Sequence, residues 1–177
     1  MKTLRWFLVA AVLVVMAPAM GLAQKIALDI DTKELAAKAI ETVEVTLDGQ
    51  MLKAASRFLA SEDGEKDVSN IVRRLEGIYV RSYTFAEEGA YDKALVQQFR
   101  TRIGPGWQKI VNVQKAGEEN VEIYTHLQGE VISGLVIIAA EPKELTFVNV
   151  VGPLDMAELS KIEGQLGIPR ISEKKEK

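Results

Sequence analysis

The chain has 177 residues, 47% of them apolar, with 22 lysines and arginines against 25 aspartates and glutamates, one histidine and no cysteine. That apolar share separates it from disordered chains, and a net charge of −3 offers no basic surface for nucleic acid. Without a thiol, and with a single imidazole, disulfides are excluded and a zinc site of the usual ligands nearly so.

The N-terminus has the order of a secretory signal. Lys2 and Arg5 flank the start of an unbroken apolar run over 6–16, followed by Pro18 and the small-residue stretch Ala19, Met20, Gly21, Leu22, Ala23. The run holds 11 residues, whereas a membrane-spanning helix needs roughly 20. A cleaved signal peptide over 1–23 is therefore expected, with Gln24 as the first mature residue and a cut after Ala19 as the alternative. The cysteine that lipidation would need is missing, so no stable membrane anchor is expected and the location is periplasmic or secreted. Loss of Lys2 and Arg5 leaves 20 cations against 25 acids, a net charge of −5. The rest suits one domain over 24–171 with a charged tail over 172–177.

Along the mature chain, Ile30, Asp31, Glu34 and Leu35 predict a capped helix running from Thr32 to about Ile40. Val43, Val45 and Leu47 alternate with polar residues, which is the period of a half-buried strand, and Asp48-Gly49 ends it. Met51, Leu52, Ala55, Phe58 and Leu59 recur at helical spacing, and after a polar break Val68, Ile71, Val72 and Leu75 do so again. The β-formers between Gly77 and Phe85 predict a strand. Tyr91, Leu95, Phe99 and Ile103 predict a fourth helix, stopped by Gly104-Pro105-Gly106.

A meander of four strands follows, over 107–113, 121–127, 131–140 and 145–151. A last helix is predicted from Leu154, Asp155, Glu158 and Leu159, which combine a cap with a hydrophobic staple, to Gly167 and Pro169. The similarity of Ile30–Leu35 to Leu154–Leu159 reflects shared capping chemistry, not duplication. The expected fold class is α+β: a predominantly antiparallel sheet with a C-terminal four-strand meander, packed with about five helices.

Catalytic motifs are missing. The acidic loop over 61–67 lacks the spacing of a calcium loop, and Gly104-Pro105-Gly106 ends a helix where a phosphate loop would open one. A serine hydrolase would need His126 as base, yet Ser133 does not stand in a nucleophile elbow. His126 alternates with Glu122 and Tyr124 and reads as an exposed histidine on the polar side of its strand. No cofactor, metal or catalytic residue is expected.

The strand over 131–140 is apolar on both alternating faces, so both must be covered, by the chain's own helices or by a second copy or partner on one side. Tyr79, Arg81 and Tyr83 share one face of the strand at 77–85. Tyrosine and arginine are enriched at binding hot spots, which makes these three the candidate interaction face for a protein partner or self-association. The competing reading is that the tyrosines are core residues and Arg81 pairs with a nearby carboxylate.

Several stretches together resemble a known family: Gly77-Ile78-Tyr79-Val80-Arg81-Ser82-Tyr83 with Gly89-Ala90-Tyr91-Asp92, then Pro105-Gly106-Trp107, then Ile138-Ala139-Ala140-Glu141-Pro142-Lys143-Glu144-Leu145-Thr146. Val151-Gly152-Pro153-Leu154-Asp155 and Glu163-Gly164-Gln165-Leu166-Gly167-Ile168-Pro169 complete the set. In that order they resemble the exported bacterial proteins grouped as domain of unknown function 4252. The resemblance implies an envelope protein and assigns no catalytic residue. Many relatives carry a lipobox cysteine where this chain has Ala23-Gln24, so anchoring is not implied. A non-catalytic binding or regulatory protein of the cell envelope is the expected function; an enzyme, or a lipid- or peptide-binding chaperone, is the alternative.

Overall fold

The computed structural model describes residues 32–61, 66–115, 119–155, 157, 158 and 161. The export signal, the cap at Asp31, most of the acidic loop, and the end of the last helix with the charged tail lie outside the described residues. In chain order the elements are α1 (Lys33–Lys38), β1 (Glu41–Asp48), α2 (Gly49–Ser61), α3 (Lys66–Arg74), β2 (Gly77–Thr84) and α4 (Lys93–Arg100). Then come β3 (Trp107–Lys115), β4 (Glu119–Gln128), β5 (Val131–Ala140) and β6 (Glu144–Leu154).

All six strands form one sheet in the order β1-β2-β6-β5-β4-β3, and every neighbouring pair is antiparallel. The C-terminal meander is therefore present, and β2 joins it through β6. Four helices stand among the described residues, and the start of a fifth is capped as its sequence predicts. Asp155 N–H donates to Glu158 Oε2 at 3.1 Å, and Glu158 N–H donates to Asp155 Oδ1 at 2.7 Å.

The chain covers both faces of its own sheet. Alternation sends Ile78 and Val80 of β2, Leu135 and Ile137 of β5, and Val148 and Val150 of β6 to one side, where α2 and α3 close over them with Leu52, Val68, Ile71, Val72 and Leu75. On the other side Tyr83, Val136, Ile138, Leu145 and Phe147 meet Leu35 of α1 with Val96 and Phe99 of α4. The Phe99 and Phe147 rings lie 4.5 Å apart between centroids, within the range of favourable aromatic pairs. This double cover explains why β5 and β6 read as nearly continuous apolar runs: central strands buried on both faces have no solvent side on which to place polar residues.

Local chemistry sets the ends. Asp92 caps α4 by accepting from Ala94 N–H at 2.8 Å. That helix stops at Arg100, earlier than its apolar stripe predicts, and Ile103 packs against the second core from the turn that follows. The first helix begins behind Thr32, whose side chain makes no cap bond. β6 runs on to Leu154, past the expected end at Val151, because Gly152 and Pro153 occupy an irregularity where Ile132 pairs Leu154 and Gly134 pairs Val151. Proline is tolerated within a sheet at such a bulge.

Candidate functional site

The polar groups of the sheet concentrate on β4. Glu122, Tyr124 and His126 alternate onto one face, and this face lies under α4 and the turn after it, so the expectation of a wet, polar side is corrected. Glu122 is 2% exposed and Tyr124 is buried, while His126 is half-buried.

Glu122 is the hub. Its carboxylate accepts from Arg100 Nε at 2.7 Å, from Lys109 Nζ at 2.9 Å and from the Tyr124 hydroxyl at 3.0 Å. Burial by itself would raise its pKa, but the hydrogen bonds from Arg100, Lys109 and Tyr124 outweigh it and hold the carboxyl below the usual range. The hydrogen bond to Glu122 in turn raises Lys109. Burial raises the Tyr124 phenol. At neutral pH the cluster is thus one carboxylate, two cations and a protonated phenol. An ionised, triply bonded Glu122 is neither a proton donor nor a free base, and a fully charged Lys109 is no nucleophile.

His126 and Ser133 do meet, across the β4–β5 ladder. The register skips between His126 and Leu127, leaving Ser133 bulged out of pairing. Its hydroxyl donates to the His126 carbonyl oxygen at 3.1 Å, and its oxygen lies 2.9 Å from His126 Nδ1. The tautomer of His126 sets which of the two, Ser133 Oγ or His126 Nδ1, donates in the second contact. Ser133 stands on a bulge within a strand, not in the strand-to-helix elbow of a hydrolase nucleophile. The imidazole packs instead against Trp107, whose ring lies over Gly134 so closely that a Cβ there would come within 2.7 Å of it. The indole N–H of Trp107 is buried with no acceptor among the described residues.

The candidate interaction face divides. Tyr83 is fully buried at 0% exposure against the second core, and burial raises its phenol pKa. It cannot touch a partner while α1 is in place. Arg81 is half-buried and stitches β1 to β2, donating to Val80 and Val45 carbonyls and to Thr46 Oγ1, with Glu44 at 3.8 Å. Tyr79 is half-buried, its ring over Gly77.

An open groove of about 440 Å³ lies where β6 passes into the last helix. Leu127, Val131, Ile132, Pro153 and Leu154 line it, under a rim of Arg74, Glu130, Asp155 and Glu158 in which Arg74 pairs with Glu158. Neither the groove nor the Glu122 hub was legible beforehand. Their signals would have been contacts across the chain, such as Arg100 with Glu122, which no local pattern carries.

Among the described residues, no group of His, Cys, Asp and Glu could hold a metal ion, and no helix is long and apolar enough to cross a membrane. A family model described as a domain of unknown function, number 4252, matches residues 19–162. The chain belongs to that family. The match takes in the β1–β6 sheet, the Glu122 hub and the groove. No curated protein and no solved structure matches the chain.

Proposed function

We propose that this chain is an exported protein of the bacterial cell envelope that acts by binding, as a non-catalytic or regulatory component. The observation that supports the reading is the commitment of the buried Glu122 carboxylate to two cations and a phenol. A carboxylate held this way builds a rigid face and is not itself poised for proton transfer. The test is treatment of the purified chain with a fluorophosphonate probe, followed by intact mass. No adduct is expected; an adduct that disappears in Ser133→Ala would overturn the reading. For the envelope assignment, the native protein should start at Gln24 and leave the cell on osmotic shock, and a mass that includes residues 1–23 would contradict it.

The groove supports a second reading, a binder of peptide or lipid segments. Its volume falls in the range of small-ligand sites and its floor is apolar. Saturable binding of a fluorescent apolar probe that is lost in Val131→Asp would favour it.

A further inference from the structure

Among the described residues, the two ends of the sheet are β1 and β3. Edge strands display main-chain N–H and C=O groups on their outer side and template further pairing unless they are guarded. Both edges are long here, eight residues in β1 and nine in β3. They also collect apolar surface. Ile40 beside β1 is 69% exposed and Val43 37%, while Ile110 and Val113 on β3 are 44% and 41% exposed. Their charges are opposite: β1 carries Glu41, Glu44 and Asp48 with no cation, and β3 carries Lys115 with no acid, its other cation, Lys109, being held by Glu122.

Topology decides how two copies would meet. Six strands, each antiparallel to its neighbour, leave β1 and β3 running in opposite directions. A second copy shifted sideways along the sheet, turned only by the sheet's own twist, therefore presents its β3 antiparallel to the first copy's β1, with like faces on the same side. Val45 and Val111 already pack against the same core, so they share a face. Setting Val43 opposite Val113 places Val45 opposite Val111 and Glu41 opposite Lys115 on that face. Thr42 and Glu44 then oppose Gln114 and Asn112 on the other. The bulge between Lys109 and Val111 ends this ladder after five residues.

We propose that the chain associates with a second copy of itself head to tail, β1 of one on β3 of the next. Apolar residues meet apolar ones and Glu41 meets Lys115, pairings that favour neighbouring strands. Self-pairing of like edges would instead bring two acidic strands, or two basic ones, together. The contact is heterologous, so it grows into a ring or an open row. Its shortness makes it weak, and its exposed ion pair makes it sensitive to salt. This inference is independent of the groove and of the envelope role, and either can fail without the other.

The test is sedimentation velocity of the mature chain over a concentration series at low and high salt. The weight-average sedimentation coefficient should rise with concentration, less so in high salt. Glu41→Lys and Lys115→Glu, both at exposed positions, should each weaken association roughly tenfold, as expected when an opposed pair becomes a like pair, with the melting temperature unchanged. An equimolar mixture of the two single variants, and the double reversal in one chain, should both regain it. A wild-type chain that stays monomeric to its solubility limit would overturn the proposal. So would single variants that associate like wild type, or a mixture that fails to recover.

Discussion

Gly152→Ala tests the join between the helical layer and the sheet. At Gly152 the backbone takes a φ of +122°, and a Cβ there would lie 2.8 Å from Glu76 N and 2.9 Å from Leu75 Cα. Both are main-chain atoms and cannot rotate away. The same junction is tied by Glu76 N–H donating to the Val151 carbonyl at 2.8 Å, so relief of the clash stretches that bond. Backbone strain at a sparsely populated φ costs about 1–3 kcal/mol, and overpacking costs roughly another 1–3 kcal/mol. Gly129→Ala is the control: φ is +65° there, but nothing lies within 4 Å of the added methyl, leaving only a left-handed penalty of about 1–2 kcal/mol. Urea unfolding should show a lower midpoint at unchanged slope for both. The loss at Gly152 should be about 4 kcal/mol, which for a domain of this size lowers Tm by roughly 10 °C. If Gly152→Ala costs no more than Gly129→Ala, the close approach of the α3–β2 junction to β6 is wrong.

Glu122→Gln keeps the shape of the hub and removes its charge. Arg100 and Lys109 side chains are 25% and 37% exposed and can turn to water, so the cost at neutral pH should be about 2–3 kcal/mol, below that of stranding a buried ion. The folded-state pKa of Glu122 is lowered, so its contribution is present above the unfolded carboxyl value and lost as pH falls through the folded one. Unfolding midpoints at pH 7 and pH 3 should therefore differ less in Glu122→Gln than in wild type, and an equal difference would refute the ionised hub. Phe99→Ala, which empties the space against Phe147, should cost about 3–5 kcal/mol by thermal unfolding. Asp155→Ala should cost about 1 kcal/mol through loss of the cap to Glu158 N–H, and no measurable change would mean that the capping box does not hold in solution.

The sequence made the central strands plain and left the site obscure, for one physical reason. A strand covered on both faces has no solvent side, so the mostly apolar run Val131 to Ala140 announces β5 whatever covers it. Alternation also says correctly that Tyr79, Arg81 and Tyr83 share a face. It cannot say whether water, a partner or the chain's own helix covers that face, and here Leu35 of α1 closes over Tyr83 from 48 positions away. Glu122 reads as a surface acid for the same reason. Its burial is tolerable only because Arg100 and Lys109 arrive from two other elements, and a residue's polarity does not name its partners. Gly152-Pro153 reads as a strand end because proline cannot donate to a ladder, yet a bulge removes the need for that donor and β6 continues. The edges follow the opposite logic. With one neighbour each, β1 and β3 keep both the alternation and the charge that their outer side requires, so what they could pair with is written in their own residues, acidic on one and basic on the other. The even strand number then fixes the direction in which those charges can meet.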